Sequence, residues 1–146
     1  MKKIIDIFLS DYNSDHIIMT YPYMHSEKEY FIDLENIYNQ VIKICTKNKI
    51  KISIILPEEL KNNESYISYY KNSDLNIINY DCDDIWIRDY CPKVFFINNQ
   101  KNFINYEFNA YGGKYPFTKD NNFKSFFTKK RQNIFLNDLV IEGGNI

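Results

Sequence analysis

The chain has 146 residues, of which 45% are hydrophobic and 25% charged, and its formal net charge is −1. This length and composition are typical of a soluble globular protein that can bury a core of its own. The near-neutral charge gives no electrostatic reason to expect nucleic acid or an anionic membrane as a partner, and we interpret the basic run Lys129-Lys130-Arg131 as a solvated helix end.

The first elements in chain order are a short strand and a long helix. Residues 17–21 form an apolar run that Pro22 ends, and Ser26 to Glu29 has the pattern of a helix capping box. Apolar residues then recur at helical spacing as far as about residue 48, which predicts an amphipathic helix. The predicted apolar stripe consists of Leu34, Ile37, Tyr38, Val41, Ile44 and Cys45.

The next elements continue this alternation. Residues 50–56 predict a buried strand that a proline ends, residues 58–71 a second helix, and residues 75–80 a second strand of the parallel type. The order strand, helix, strand, helix, strand predicts an α/β unit.

The remaining elements are shorter. Residues 94–97 and 103–108 predict two strands around a turn at 98–100. A weak helix is predicted over residues 121–128, and residues 139–141 predict a last strand, directly before a pair of glycines.

Cysteine and histidine usage shows no metal-binding pattern. Cys45, Cys82 and Cys91 form no CxxC pair, and His16 and His25 lie far from them in the sequence. An odd, sparse set of cysteines suits a reducing compartment better than a disulfide framework. No segment has the length of a membrane span or the features of a signal peptide, so we expect a cytoplasmic protein without a metal site.

The segment 83–92 combines three carboxylates, an arginine and the only tryptophan directly after a strand. A carboxylate can hold a planar cation such as guanidinium in its plane, and an aromatic ring can cover the face of the cation. Asp89 and Trp86 are candidates for these two contacts. The alternative is a charged surface turn in which Asp84 or Asp89 pairs with Arg88.

Two further segments contain glycine pairs. Gly112 and Gly113 permit positive φ or a close backbone approach, and Asn109 before them can shape the turn by local hydrogen bonds. Glu142 stands at the end of the last strand, beside the second pair, and is a candidate ligand-facing acid. Taken singly, each segment is more typical of a structural loop or a charged surface turn than of a binding site.

Together and in this order, the three segments resemble the agmatine deiminase and bacterial peptidyl-arginine deiminase family. They read DDIWIRDYCP from Asp83, FNAYGGKYP from Phe108 and LVIEGGNI from Leu139. The resemblance extends to residues 19–22, where members usually have an apolar strand ending in Trp-Pro, and therefore covers almost the whole chain.

The resemblance implies an α/β fold of the pentein type, a propeller of five ββαβ modules around a central site. It also implies hydrolysis of a guanidinium to a ureido group with release of ammonia, by way of a cysteine nucleophile and a histidine acid/base, without metal or cofactor. Guanidinium is a poor electrophile, so this reaction needs an activated nucleophile and accurate positioning. The expected ligand is agmatine, in polyamine metabolism and putrescine biosynthesis, or a peptidyl arginine side chain.

Carried onto this sequence, the resemblance assigns Asp89 to the guanidinium clamp and Trp86 to the pocket lining. Glu142 is then a second acid near the site, and Asn109 shapes the rim together with the following glycines. Arg88 supports the loop or meets a carboxylate of the substrate.

The resemblance also implies that the catalytic histidine and cysteine lie beyond the third segment. His16 and His25 do not match the family histidine, and Cys91 stands where members usually have glycine. We expect residues 1–146 to be the amino-terminal part of one deiminase domain, about two of five modules, and to be inactive alone. The chain is then a fragment of a disrupted or split gene, a chain that pairs with a separate carboxy-terminal chain, or a non-catalytic remnant. The alternatives are a non-catalytic guanidinium-binding or interaction fragment and a small structural α/β protein.

Overall fold

The computed structural model describes residues 7–8, 14–22, 28–63, 75–129 and 134–145. They divide into two compact units, which we call the parallel unit (residues 15–85) and the hairpin unit (residues 1–14 and 86–146). Each unit contains one small β-sheet and helical segments. This confirms the predicted α/β class.

The elements are named in chain order. The strands are β1 (Ile7–Phe8), β2 (His16–Thr20), β3 (Lys51–Leu56), β4 (Leu75–Asn79), β5 (Lys93–Ile97), β6 (Gln100–Glu107) and β7 (Ile134–Val140). The helices are α1 (Lys28–Lys47), α2 (Ile87–Tyr90), α3 (Thr118–Asn122) and α4 (Lys124–Lys129), with 3₁₀ turns at Glu58–Leu60 and Gly143–Asn145 and a left-handed turn at Ala110–Gly113. None of the helices in the described residues is long and apolar enough to cross a membrane.

The parallel unit is built on a three-stranded sheet in the order β2–β3–β4, with both pairs of strands parallel. The central strand β3 is buried along its length except at Lys51, as expected for a parallel sheet whose middle strand is shielded on both faces. Alternate residues of β3 join α1 in one apolar core, whose buried members are Tyr21, Ile42, Cys45, Ile52, Ile54, Leu56 and Leu60. The predicted strands of this unit are confirmed.

The predicted stripe of α1 is wrong at two positions. Ile37 and Ile44 are 53% and 59% exposed, whereas Ile42, which the prediction left out, is buried. Each residue advances about 100° around a helix, so Ile37 and Ile44 lie together on one flank of the stripe. The buried arc is centred nearer Cys45 and extends towards Ile42 instead.

The predicted helix over residues 58–71 is confirmed only as a single 3₁₀ turn, Glu58–Leu60, within the described residues. Asp81 accepts a hydrogen bond from the amide of Glu58, with its Oδ1 at 3.0 Å. Residues 64–74, which include the rest of that prediction, lie outside the described residues, and so does Ser26 of the predicted capping box.

The hairpin unit has a four-stranded sheet in the order β1–β5–β6–β7. β5 and β6 form an antiparallel hairpin, whose turn residues Asn98 and Asn99 both have positive φ, at 50° and 59°. Asparagine tolerates this conformation and is favoured in such two-residue hairpin turns. β7 pairs with β6 in parallel, and it is longer than the predicted strand at 139–141.

Aromatic side chains dominate the core of the hairpin unit. Tyr90 packs edge-on against Phe123 at 6.0 Å between ring centroids, and Phe103 lies 5.1 Å from Phe127. The helix predicted over residues 121–128 is instead two short helices, α3 and α4, that meet at Phe123. This packing fixes Tyr90, the last residue of α2, and thereby positions the segment that carries the candidate site.

Candidate functional site

The first and third sequence segments meet within the hairpin unit. Asp89 lies on the short helix α2, and its Oδ1 accepts a hydrogen bond from the amide of Gly144 at 3.0 Å, 55 residues further along the chain. Gly143 is buried against the same helix, and a Cβ added there would collide with the carbonyl oxygen of Arg88 and the hydroxyl of Tyr106. The glycine pair after β7 therefore serves a close approach of two backbones.

The second segment reaches the same carboxylate from another side. The left-handed turn Ala110–Gly113 has φ values of 48°, 60°, 82° and 79° along its four residues. At its start, Oδ1 of Asn109 accepts a hydrogen bond from the amide of Gly112 at 3.0 Å. The turn presents Tyr111, whose hydroxyl donates to Oδ2 of Asp89 at 2.5 Å.

Two residues of this turn are not glycine, and their conformation has a cost. A residue with a Cβ loses about 1–2 kcal/mol in the left-handed region, and Ala110 and Tyr111 both adopt it. Strained backbone of this kind persists where surrounding contacts hold it, and it is concentrated at functional sites. Here the strained residue Tyr111 is the one whose hydroxyl contacts Asp89.

Hydrogen bonds therefore fix the Asp89 carboxylate in place, but they do not use all of its acceptor positions. Each of its oxygens accepts one of the two hydrogen bonds described above, from Gly144 and from Tyr111. An ionised carboxylate has about four acceptor positions, so within the part of the chain that the structure describes one further position on each oxygen is available. The residue is partly exposed, and a planar cation with two parallel N–H groups matches this acceptor pattern.

The other predicted site residues of the hairpin unit lie around these three segments. Trp86 directly precedes α2, is 61% exposed, and its carbonyl accepts from the amide of Asp89 at 2.9 Å. Arg88 is exposed on α2, and Glu142 is partly exposed just before the Gly143–Asn145 turn. Asn109 shapes the left-handed turn by a local hydrogen bond, as predicted, and its place at the rim of a site stays a prediction.

The alternative of a charged surface turn has mixed support. Asp84 is the other carboxylate that this alternative pairs with Arg88. It belongs to the parallel unit, where its Oδ1 accepts a hydrogen bond from the amide of Ile85 at 2.6 Å. The donors to Asp89 are a backbone amide and a phenol, and neither of them is Arg88. The structure thus shows Asp89 anchored by groups that leave its charge uncompensated at those two contacts.

Tyr111 and Tyr106 belong to the surroundings of the candidate site, and neither was predicted from the sequence. The Gly-Gly pair indicated a turn with positive φ, but a left-handed tyrosine before it has no sequence signal of its own. Tyr106 is buried on β6, and its hydroxyl donates to the carbonyl oxygen of Cys91 at 3.0 Å. That bond ties the residue after α2 to the sheet.

Burial raises the pKa of Tyr106 far above its ordinary value, and the nearby charges of Cys91 and Asp89 act in the same direction. The folded state therefore keeps this proton when the unfolded chain, with a tyrosine pKa of about 10, has lost it. The stabilisation is complete below about pH 10 and falls above it, by at most about 1.4 kcal/mol per pH unit.

Replacing Tyr106 by phenylalanine is expected to make this alkaline decline shallower. The measurement is the free energy of unfolding in urea between about pH 8 and about pH 11. The lost hydrogen bond to Cys91 lowers stability equally at every pH, so the slope isolates the titration. Tyr38→Phe is the matched variant in the parallel unit, because burial also raises the pKa of Tyr38. Identical slopes in wild type and Tyr106→Phe would contradict the assignment.

No candidate metal site is found in the part of the chain that the structure describes. Its residues include no group of three or more histidine, cysteine, aspartate or glutamate side chains that could hold a metal ion. The three cysteines are free thiols, with Cys45 and Cys82 buried and Cys91 partly exposed.

The comparison with protein families decides the assignment. The model of the Porphyromonas-type peptidyl-arginine deiminase family matches residues 11–146. The chain belongs to this family. A comparison with curated proteins finds no match. The resemblance expected from the three sequence segments is thereby confirmed.

Solved structures agree with this family at the level of the fold. C. jejuni agmatine deiminase with substrate bound is similar at a TM-score of 0.75 and 22% identity, over 90% of this chain and 39% of that one. Agmatine deiminase of Enterococcus faecalis is similar at 0.69 and 15% identity, over 90% of this chain and 37% of that one. This deiminase-family chain therefore spans less than two-fifths of the length of either enzyme.

Proposed function

We propose that the chain supplies the cation-holding part of a hydrolase that converts a guanidinium to a ureido group and releases ammonia. The observation that carries the proposal is the Asp89 carboxylate, which the Gly144 amide and the Tyr111 hydroxyl anchor while one acceptor position on each oxygen remains. Membership of the deiminase family supports guanidinium as the cation.

The chemistry of the site fits a flat, positively charged group. A guanidinium donates two parallel N–H bonds to the two oxygens of a carboxylate, and such paired, charge-assisted bonds are strong and directional. The exposed indole of Trp86 lies one helical turn before Asp89 and offers an aromatic face for the same cation. Glu142 provides a second acid, and Arg88 is suited to a carboxylate at the far end of a substrate.

We propose agmatine or a peptidyl arginine side chain as the ligand. C. jejuni agmatine deiminase, one of the similar structures, was solved with substrate bound. The setting for agmatine is polyamine metabolism, including putrescine formation, in the cytoplasm. Nucleic acid and membranes are not proposed as partners, because the formal net charge of the chain is only −1.

We further propose that the chain is the amino-terminal part of a pentein domain, about two of five modules, and is inactive alone. The share that it spans of the two agmatine deiminases, 39% and 37%, supports this proposal. Of the two histidines, His16 lies on β2 with Nε2 2.8 Å from the hydroxyl of the buried Ser53 in the parallel sheet. That placement supports a structural role for His16, so the acid/base and the nucleophile would come from a complementing carboxy-terminal chain.

The test is an assay of ammonia release from agmatine and from a peptide with an internal arginine. The chain is assayed alone and together with the carboxy-terminal part of a deiminase of the same family. We expect no release by the chain alone and release after complementation. A completed protein that folds but hydrolyses neither compound would refute the enzymatic proposal.

A non-catalytic guanidinium-binding fragment is the second candidate. It is favoured by the fact that Asp89 and both groups that anchor it belong to the hairpin unit of this one chain. It predicts that the chain binds agmatine in isothermal titration calorimetry and that complementation adds no hydrolysis. Absence of binding heat with both agmatine and arginine would remove this candidate.

A further inference from the structure

In the function proposed so far, the Tyr111 hydroxyl only anchors Asp89 and has no part in selectivity. Tyr111 reaches the carboxylate from a sequence distance of 22 residues, and its ring is exposed on the hairpin unit. Its oxygen lies 2.5 Å from Oδ2 of Asp89, at the short end of the range for a hydroxyl bonded to a charged carboxylate. The contact is therefore a strong one, made by a residue that leads into the paired glycines.

We propose that Tyr111 is a positioning residue that makes the site selective for guanidinium over simple ammonium, because it fixes the plane of the Asp89 carboxylate. The inference rests on the proposed function, since it concerns the same site and the same cation. It adds a residue and a selectivity that neither the sequence segments nor the family match assigns.

The reason lies in how the carboxylate is held. The last torsion of an aspartate side chain is broad, so a carboxylate with a single donor can rotate about it. The Gly144 amide holds one oxygen of Asp89 and the Tyr111 hydroxyl holds the other. With both oxygens held, the plane is defined.

The left-handed turn explains why the hydroxyl stays in place. The amide of Gly113 donates to the carbonyl of Asn109 at 2.6 Å, and the amide of Lys114 to the carbonyl of Ala110 at 3.0 Å. The Tyr111 ring also packs edge-on against Phe108, with 6.1 Å between centroids. These contacts hold the backbone of the turn and the Tyr111 ring beside Asp89.

The fixed plane affects two kinds of cation differently. A guanidinium fork needs both carboxylate oxygens in its own plane, whereas an ammonium is a point charge with rotatable donors. Removing the Tyr111 hydroxyl leaves the charge of Asp89 unchanged but frees the plane. The substitution should therefore weaken the binding of guanidinium ligands and leave the binding of amines unchanged.

The test compares Tyr111→Phe with the wild-type chain by calorimetry, with agmatine and with 1,4-diaminobutane as probes. Phenylalanine keeps the ring that packs on Phe108, so the turn is retained. We expect agmatine affinity to fall about fivefold to tenfold, as when one of the two guanidinium bonds to Asp89 loses its good geometry, and diamine affinity to stay unchanged. Tyr115→Phe is the matched control, because Tyr115 is also exposed and lies 6.3 Å from the Tyr111 ring.

A second measurement works without any ligand. The Gly144 amide, observed by NMR, reports the orientation of the carboxylate it binds, and we expect its resonance to shift and its exchange to quicken in Tyr111→Phe but not in Tyr115→Phe. If wild type binds agmatine and Tyr111→Phe binds it equally well, the inference is overturned. If wild type binds no guanidinium, the proposed function fails, and only the Gly144 resonance then tests whether Tyr111 positions the carboxylate. A resonance that does not shift in Tyr111→Phe overturns the positioning role. A resonance that shifts supports it.

Discussion

Replacement of Gly143 by alanine is expected to destabilise the hairpin unit by about 3 kcal/mol, at the upper end of the usual cost of forcing atoms into a packed site. The added Cβ would overlap the carbonyl oxygen of Arg88 and the hydroxyl of Tyr106. The first of these is backbone and cannot rotate away. The Gly143–Asn145 turn must therefore move off α2, or α2 must shift.

Either movement also disturbs the candidate site. The amide of Gly144 donates to Asp89 from the residue next to the substitution, so this bond should lengthen or break. The Tyr106 hydroxyl would in addition lose its place beside the carbonyl of Cys91. Gly143 is thus expected to affect both stability and the geometry of the clamp.

The measurement is the urea midpoint of unfolding, with Gly112→Ala as the control. Gly112 has a φ of +82° but no atom within 4 Å of an added Cβ, so its substitution should cost only the left-handed strain of about 1–2 kcal/mol. Gly144→Ala gives an intermediate case, because its Cβ would lie 2.5 Å from Oδ1 of Asp89. That carboxylate is at the end of a side chain and can move away, but only with loss of its bonds to Gly144 and Tyr111. Equal midpoints for Gly143→Ala and Gly112→Ala would show that the close approach does not exist in solution.

The fold was predictable from the sequence where short-range physics decides it. The buried strand β3 and the hairpin turn at Asn98 and Asn99 follow from apolar runs and from the tolerance of asparagine for positive φ. Which flank of the apolar stripe of α1 is buried was not predictable, because periodicity does not tell which side of the stripe the sheet covers. Ile37 and Ile44 are as apolar as Ile42, and only packing separates them.

The candidate site, like the fold, was predictable from the sequence only in part. The segments of Asp89, Asn109 and the two glycine pairs could be found, because together and in this order they resemble a known family, although each alone also fits a structural loop. Their meeting could not be derived from spacing, since the bond between Asp89 and Gly144 joins residues 55 positions apart. Tyr111 was missed because a tyrosine in left-handed conformation contradicts its local preference, and only the surrounding contacts make it stable.

Replacement of Asp89 by asparagine is expected to lower the affinity for agmatine about tenfold to a hundredfold. Hydrogen bonds to charged groups contribute about 1.5–3 kcal/mol, and about 1.4 kcal/mol corresponds to a factor of ten. Asparagine offers one acceptor oxygen in place of two and carries no charge, so the guanidinium loses both its paired bond and its counter-charge.

The substitution should leave the fold intact, which makes the binding result interpretable. The asparagine oxygen can keep the bond from the Gly144 amide, while its NH₂ group faces the Tyr111 hydroxyl, which accepts as well as donates. The urea midpoint of Asp89→Asn should therefore stay near that of wild type. An unfolded Asp89→Asn variant would mean that the anchoring bonds matter for stability more than the charge does for binding.

Asp138→Asn is the matched control, because it removes the same charge from an exposed position on β7. Calorimetry of the chain, and kcat/KM of the completed protein, should show the loss for Asp89→Asn alone. The loss should also shrink as salt is added, since the site is partly exposed and its charge is screened. If both substitutions weaken agmatine equally, only the overall charge attracts the cation, and Asp89 is not the clamp.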